Sequence, residues 1–532
     1  MAKVPQDLDA ASNEALKELV QTLLQEVAEL KRENAALREE IGRLKGKPPR
    51  PEVKASGLAE KAMGRGERAA KGAAGRKKRG RGSKRSRLEI DEDRVLKPAN
   101  IPAGARFKGY ADYVVQDLEV RARTIRYRRE RWETPDGRTI TADLPAATTG
   151  HYGAELQRLV LSLYHRGQMT IPRITRQLND LGVDIEDRQV RRLLAERADV
   201  FLREAKDVLL AGVATAPWIS VDDTGARHQA RNGHCTQIGD DRFTAFATTS
   251  SKSRLDFLEI LRAGHTDYVI NVEALAYMSQ RNLPKEVIER LAKGPTQFPD
   301  AAGWQAHLSA LGLDELRVHP DPVRIATEGA LWGAIKHHGL LADAVVLSDD
   351  AGQFRIGNHA LCWVHAERLV NGLDTFNAAQ RKAVDWVRQL IWWLYADLKA
   401  YAAAPTAQRK AQLKRRFERV FNRRTGFAPL DKRLRRLHAR KAELLAVLDR
   451  PEVPLHTNGS ENDIRSQVTR RKISGGTRSD RGRDCRDGFL ALMKTCDKLG
   501  VSFWAYIGDR LGLSRDDPVA PLPDLVRARA PA

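Results

Sequence analysis

The chain has 532 residues, 42% of them apolar, and a formal net charge of +22. This length is enough for several hydrophobic cores and predicts about three or four domains. No apolar run approaches the roughly 18 residues of a membrane span, and the first residues lack a signal-peptide core, so we expect neither membrane insertion nor export. Four scattered cysteines are too few for a disulfide framework, which indicates a reducing cytoplasm.

The positive charge is concentrated near the beginning of the chain. Residues 61–87 contain twelve Lys or Arg and one acid, Glu67. Residues 46–88 have almost no large apolar side chains, so they cannot bury a core, and we expect a basic disordered linker. Such a segment neutralises phosphates without reading a sequence, which favours nucleic acid as the partner. A solvated linker is the alternative.

A heptad repeat precedes the linker, at residues 12–45. One seam position holds Leu16, Leu23, Leu30, Leu37 and Leu44. The other holds Val20, Val27, Asn34 and Ile41. Leucine opposite β-branched residues, with a single Asn, favours a parallel two-stranded coiled coil. We therefore expect a homodimer or higher oligomer; a helix packed on its own chain is the alternative.

Two segments after the linker are candidates for DNA contact. Residues 100–145 alternate apolar and basic residues around Pro135-Asp136-Gly137, which predicts a small basic β-module whose arginines face DNA or solvent. Residues 150–205 predict helices separated by Gly-containing turns. The last of these helices is basic, with Arg188, Arg191 and Arg192. This is the outline of a helix-turn-helix-like DNA-binding domain, although any small helical bundle gives the same outline.

Two apolar β-branched runs end in paired aspartates. The run at 216–227 ends in Asp222-Asp223-Thr-Gly, and the run at 344–354 ends in Asp349-Asp350-Ala-Gly. An isolated doublet of this kind is usually a solvated turn, but here the pattern recurs, and a third acid, Glu461, follows far downstream. Two strand-end aspartates and a distant glutamate are what a two-metal phosphoryl-transfer site needs.

The order of elements predicts an α/β catalytic domain over residues 214–512. Three antiparallel strands, a helix and a further acid-bearing strand form the order of an RNase H-like mixed sheet. We expect helical insertions at about 264–343 and 372–450, and a tail at 513–532. The aromatic group in the second insertion is expected to pack in a core; it consists of Trp386, Trp392, Trp393 and Tyr395.

Basic and metal-ligating residue types accompany the acids in the second half of the domain. Cys362 and His365 have half of a metal-ligand spacing, and no second pair lies near, so we interpret His365 as a structural or nucleic-acid contact. Basic residues follow Glu461 and suit a phosphate backbone. They include Arg465, Arg471, Lys472 and Arg478.

These motifs resemble the DDE transposases of the insertion-sequence 66 type, most strongly at 217–262 and 344–512. The family's strand-end Asp-Glu-Thr-Gly corresponds to the segment beginning at Asp222, and its Val-Ser-Asp to Asp349. Its Cys-Trp-x-His matches 362–365, its Asn-x-x-Glu matches Asn458 and Glu461, with Arg465 four residues later, and Arg471-Lys472 also corresponds. The family's cysteine zinc module has no counterpart in residues 100–145, so we expect no zinc among the cofactors.

The resemblance implies a transposase with Asp222, Asp349 and Glu461 as catalytic and metal-binding acids and two Mg²⁺ or Mn²⁺ ions as cofactors. It further implies cleavage at the terminal inverted repeats of a bacterial element, strand transfer into target DNA, and companion proteins encoded beside it. The location would be cytoplasmic and nucleoid-associated. Two alternatives stay open: an RNase H-like nuclease or resolvase without strand transfer, and a catalytically inactive dimeric DNA-binding regulator.

Overall fold

The computed structural model describes residues 90–102, 104–145, 150–316, 318–513 and 518–531. The predicted coiled coil at 12–45 and linker at 46–88 lie outside these residues. The chain divides into two units, residues 1–119 and 120–532. Within the first, the described residues form neither helix nor strand. The paragraphs below concern the second unit.

The strands of this unit are short apart from two. They are β1 (Arg131–Glu133), β2 (Thr139–Thr141), β3 (Trp218–His228), β4 (Arg231–Gly239), β5 (Thr244–Thr249), β6 (Tyr268–Val269), β7 (Gln297–Phe298), β8 (Val345–Ser348) and β9 (Asn358–Leu361). Five of them form the central mixed sheet, in the order β5-β4-β3-β8-β9. β3, β4 and β5 pair antiparallel, whereas β8 joins β3 in parallel and β9 joins β8 in parallel.

Helices pack around this sheet and fill the segments between its strands. They are α1 (Ala154–His165), α2 (Ile171–Asp180), α3 (Asp187–Ala195), α4 (Ala198–Thr215), α5 (Arg254–Leu261), α6 (Val272–Gln280), α7 (Lys285–Lys293), α8 (Ala301–Ala310), α9 (Pro322–His337), α10 (Trp363–Asn371), α11 (Ala378–Ala403), α12 (Ala407–Phe421), α13 (Ala428–His438), α14 (Lys441–Leu444), α15 (Asn458–Ser474), α16 (Asp480–Leu499), α17 (Phe503–Arg510) and α18 (Leu522–Ala528).

The helices of segment 150–205 share a hydrophobic core with the sheet. Val160 of α1 and Leu193 of α3 belong to the same buried cluster as Ile219 of β3. On α3, the apolar side chains point inward, and the polar residues face outward. The helices are therefore packed onto the sheet layer, and the domain boundaries expected at 150–205 and 214–512 stay predictions.

The predicted β-module at 100–145 contains one small hairpin. β1 and β2 pair across the Pro135-Asp136-Gly137 turn, and their side chains are mostly exposed. The remaining described residues from 104 to 130 form no regular structure. Two strands of three residues each are too short to bury a core. This hairpin alone therefore gives the segment little stability.

The segment at 264–343 has its own helices and a two-stranded sheet. β6 and β7 pair antiparallel, and α9 packs against α6 through a close contact at Gly329 and Gly333. A Cβ at Gly333 would lie 2.1 Å from the Val269 carbonyl oxygen, so only glycine fits there. The segment is thus a packed part of the fold.

The segment at 372–450 forms a second hydrophobic cluster, built from α10 to α14. The expectation that its tryptophans pack in a core is wrong. Trp386, Trp392 and Trp393 are 44%, 37% and 45% exposed, because α11 buries the face that holds Val387, Leu390, Ile391 and Leu394. The tryptophans lie on the other sides of the helix.

The predicted tail at 513–532 contains a packed helix, α18. Leu522 and Val526 are fully buried, and the helix packs against α4. Among the described residues, no helix combines the length and apolar character needed to cross a membrane.

Candidate active site

The two aspartate doublets meet on neighbouring strands. β3 and β8 pair in parallel, with Trp218 opposite Val345 and Ser220 opposite Leu347. Continued by two residues, this register sets Asp222 beside Asp349, on strands that lie about 4.8 Å apart. Burial, together with the charges of Asp349 and Asp223, raises the pKa of Asp222 to about 6.

The first doublet contains one neutralised acid and one free acid. Asp223 forms an ion pair with Lys252 at 2.7 Å and accepts a hydrogen bond from the Gln353 amide at 2.7 Å. Asp222 accepts the backbone N–H of Asp223 at 2.8 Å and no other hydrogen bond from the described residues. Within the described ranges, no cation forms an ion pair with Asp222. Asp223 is therefore neutralised by Lys252, whereas the carboxylate of Asp222 could still bind a metal ion.

The second doublet is divided in the same way. Asp350 forms ion pairs with Arg355 at 3.0 Å, Arg436 at 3.1 Å and Arg440 at 3.2 Å. Its backbone lies in the left-handed region, with φ of 82°. Asp349 accepts a backbone N–H two residues further on, at 3.0 Å, and has no ion pair in the part of the chain that the structure describes. Because of this left-handed turn at Asp350, the side chains of Asp349 and Asp350 have different partners.

Glu461 reaches the same region from a helix. It lies in the first turn of α15, which packs against β3. The hydroxyl groups of Ser220 and Ser460 are hydrogen-bonded to each other. Because Ser220 precedes Asp222 by two residues and Ser460 precedes Glu461 by one, this contact places both acids in one neighbourhood.

Glu461 differs from the two aspartates in that it is neutralised. Arg368 lies 3.0 Å from one carboxylate oxygen, His365 lies 3.6 Å from the same oxygen, and Arg465 lies 4.0 Å from the other. The ligand atoms of the three acids are not all within 4.8 Å of one another in the described structure. The fold therefore brings together the carboxylates of Asp222 and Asp349 without ion pairs, whereas Glu461 is bound by cationic side chains.

His365 lies between the acids. Its contact with the Cys362 thiol raises its pKa, burial opposes this, and the charge of Asp349 raises it further. A positively charged imidazole here would be attracted to all three carboxylates. Cys362 is buried and accepts the backbone N–H of Thr457 at 3.4 Å, which connects α10 to the start of α15. Cys362, the first residue of the Cys-x-x-His spacing noted in the sequence, thus links the two helices.

The basic residues after Glu461 have different environments. Arg465, Lys472 and Arg478 are exposed. Arg471 donates a hydrogen bond to the carbonyl of Gly225 on β3, so it also holds α15 against the sheet. The loop after α15 pairs with the end of β3, and a Cβ at Gly476 would lie 2.4 Å from the Arg227 carbonyl oxygen.

The arginines of α3 are exposed, whereas its apolar residues are buried. Arg191 and Arg192 form long ion pairs with acids one turn away, at 3.7 and 3.5 Å. Exposed pairs of this kind contribute little and exchange readily. The structure places Arg188, Arg191 and Arg192 on an outer face of the helix and does not bring them to the acids.

The residues present fit a hard divalent cation. Carboxylate oxygens are the ligands that Mg²⁺ and Mn²⁺ prefer. Asp222 and Asp349 repel each other without a cation between them, and the pKa of Asp222 is raised first by burial and then by the charge of Asp349. Glu461 is a third oxygen donor on the adjacent helix.

Several residues important to this arrangement have no signal in the sequence. They are Lys252, Gln353, Arg355, Arg368, Arg436 and Arg440. Each neutralises or orients an acid that lies far away along the chain or in a different element. Only the fold shows which acid each of them contacts.

Two comparisons with known proteins bear on this site. Residues 345–484 match the family described as "Transposase IS66 family", a range that contains Asp349, His365 and Glu461. The chain is also 51% identical over 324 residues to the uncharacterized protein y4jO of Sinorhizobium fredii (strain NBRC 101917 / NGR234). That similarity covers 61% of this chain and 100% of the relative.

Proposed function

The chain belongs to the IS66 transposase family, and from this premise we propose that it cleaves DNA at the ends of an insertion sequence and joins the freed 3′ ends to target DNA. The proposed catalytic and metal-binding acids are Asp222, Asp349 and Glu461. The observation that supports this most is the position of Asp222 and Asp349, both without ion pairs among the described residues, at one level of two parallel strands.

The strand order supports an RNase H-like assignment for the catalytic domain. Three antiparallel strands are followed in the sheet by two parallel strands, with the first acid on the central strand. Glu461 comes from a helix packed on that central strand. This is the arrangement expected from the order of elements in the sequence.

Mg²⁺ or Mn²⁺ bound by the three acids would supply the positive charge that stabilises the developing charge on the reacting phosphate. Asp222 and Asp349 provide oxygen donors that form no ion pair with a cation of the described segments. Glu461 has to exchange Arg368 and His365 for that ion. Those two cations then become available beside the site, where they can attract a phosphate group of the DNA backbone.

We assign the DNA contacts by exposure and charge. Arg465, Lys472 and Arg478 would contact phosphates near the acids. Arg471 would do so only after exchanging its bond to Gly225. His365 would contact DNA only in the state in which it has released Glu461.

The remaining contacts are proposed at a distance from the acids. Arg188, Arg191 and Arg192 on α3 would contact the element's inverted repeats. Dimerisation through residues 12–45, the requirement for companion proteins and the location in the bacterial cytoplasm stay predictions.

The experiment uses the DNA that flanks the gene, inspected for inverted repeats and supplied as duplex substrate with Mg²⁺ or Mn²⁺. We expect metal-dependent cuts at the repeat ends that disappear in Asp222→Asn, Asp349→Asn and Glu461→Gln, while DNA binding persists. Cuts that ignore the ends would favour a nuclease or resolvase. Binding with no cuts, even after the neighbouring gene products are added, would favour an inactive regulator.

A further inference from the structure

A second group of metal-ligating side chains lies at the base of the segment 264–343. His265, Asp267 and His338 each offer one ligand atom, and these atoms lie within 4.8 Å of one another. No other such group of three or more His, Cys, Asp or Glu occurs within the described ranges. All three residues are partly exposed, so a bound ion could also reach solvent.

The contacts within this group are close. The Nε2 atom of His338 lies 2.9 and 3.0 Å from the two carboxylate oxygens of Asp267. The rings of His265 and His338 are stacked, with 3.6 Å between their centroids and 11° between their planes. Two ligand atoms about 3 Å apart can share one ion, because each would lie about 2 Å from it. The lone pairs of stacked rings lie in parallel planes, so binding requires one imidazole to rotate and the Nε2 of His338 to exchange its hydrogen bond to Asp267 for the ion.

The backbone brings the ligands together at the ends of two helices. After α5, Ala263 and Gly264 both have left-handed conformations, with φ of 52° and 97°. This conformation is unfavourable for alanine, and the turn directs the chain so that His265 lies against His338. His338 is the C-cap of α9. The C-terminal end of a helix carries partial negative charge, which favours a cation.

A positive charge lies beside this group. Arg262 is paired with Glu259, and its guanidinium donates a hydrogen bond to the backbone carbonyl of Asp267 at 3.0 Å. The pair with Glu259 offsets part of the repulsion that Arg262 would exert on a bound ion.

We propose that His265, Asp267 and His338 bind a single Zn²⁺ ion. Two imidazole nitrogens and one carboxylate oxygen are a donor set that zinc accepts, with one tetrahedral position left for water. The ion joins residues 265–267, where the segment begins, to the end of its last helix. It closes the base of the segment. This inference does not depend on the proposed function.

The test measures Co²⁺ and Zn²⁺ binding to the full-length Asp222→Asn protein, in which the other proposed metal site is impaired. We expect one equivalent of Co²⁺ with visible absorption typical of four-coordinate cobalt, displaced by Zn²⁺. His338→Ala and Asp267→Asn should each weaken this binding at least about 100-fold. His337→Ala is the matched control, because His337 is adjacent on the same helix and is not one of the three ligands; it should bind normally.

Folding is checked separately by measuring the melting temperature of each variant twice, once with a chelator and once with added Zn²⁺ and no chelator. Zn²⁺ should raise the melting temperature of the parent and of His337→Ala, and leave that of His338→Ala and Asp267→Asn unchanged. If His338→Ala fails to fold, Asp267→Asn, which keeps the side-chain shape, decides. Unchanged binding in a folded Asp267→Asn protein, or no stoichiometric binding by the parent, overturns the proposal and leaves a hydrogen-bonded His–Asp pair.

Discussion

Asp222 and Asp349 lie at the same level of two parallel strands, two residues beyond the register pair of Ser220 and Leu347. Each is followed by a second aspartate that the protein neutralises with its own cations. The doublets therefore separate into a structural acid and an available acid. This division makes the assignment of catalytic roles testable residue by residue.

The first prediction compares the two acids of one doublet. Asp222→Asn should lower end cleavage at least about 1,000-fold, because losing a metal ligand removes several kcal/mol of transition-state stabilisation. Asp223→Asn, which alters the contacts to Lys252 and Gln353, should retain cleavage within about tenfold of the parent. The measurement is the single-turnover rate on a pre-bound inverted repeat. The reverse order of effects would transfer the catalytic role to Asp223.

The second prediction concerns stability without metal. A pKa of Asp222 raised to about 6 means that the folded protein takes up a proton more readily than the unfolded chain. The penalty for the ionised form is therefore present above pH 6 and disappears as the pH falls below about 4. In a chelator at pH 7.5, Asp222→Asn should be more stable than the parent by roughly 1–2 kcal/mol.

Adding millimolar Mg²⁺ should reverse this difference, because the ion stabilises only the protein that binds it. Urea unfolding with and without Mg²⁺ measures both effects. Equal stability of parent and variant in the chelator at pH 7.5 and at pH 4 would contradict the strained state of Asp222.

The third prediction concerns the anchor of the segment 372–450. Asp350→Ala leaves Arg355, Arg436 and Arg440 without their shared partner. Arg440 and Asp350 are only 14% and 15% exposed. Because Arg440 keeps its pair with Glu443 and the other two arginines are largely exposed, we expect a loss of about 1–2 kcal/mol in the free energy of unfolding. Asp343→Ala, at an exposed site just before β8, is the control. A loss no greater than that of the control would show that the arginines find other partners.

The fourth prediction is a pH dependence at Glu204. Its carboxylate accepts hydrogen bonds from Tyr506 and Arg510 at 2.8 Å and from the Leu522 backbone at 2.9 Å. Although burial raises it, these bonds lower the pKa of Glu204 below its ordinary value of 4.5. A depressed pKa gives stability that is present above pH 4.5 and is lost as the pH falls below it.

Glu204→Gln should therefore cost about 2 kcal/mol at pH 7, because a neutral amide accepts weaker hydrogen bonds than the carboxylate and Arg510 keeps only Asp509 as a charged partner among the described residues. The difference from the parent should shrink as the pH is lowered below 4.5. Urea unfolding across this pH range measures it. Asp207→Asn, on the exposed side of the same helix, should change stability by no more than about 0.5 kcal/mol. A difference independent of pH would point to lost packing instead.

The fifth prediction concerns DNA binding by α3. Changing Arg188, Arg191 and Arg192 together to Ala should weaken binding to the inverted repeat and reduce the slope of log affinity against log salt by about 0.9 per lost phosphate contact. The melting temperature should hardly change, because these side chains are exposed. Lys206→Ala on α4 is the control. An unchanged slope would remove this helix from the DNA interface.

Much of the site is local in the sequence, and this part could be predicted. The sequence predicted strands that end at the two acidic doublets. β8 does end just before Asp349, whereas β3 continues through Asp222 and Asp223 to His228. The apolar runs that begin β3 and form β8, and the doublets that follow these runs, are patterns of about ten positions. These properties depend on backbone preference and side-chain burial, which short segments determine by themselves.

The tertiary structure decided what depends on distant residues. Lys252 and Gln353 select Asp223 as the neutralised acid of its doublet, and Arg436 with Arg440 helps to select Asp350. The exposure of Trp386 and the meeting of His265 with His338 likewise depend on which helix faces are covered. Charge pairing and burial act through space, so residues far apart along the chain determine the state of each acid.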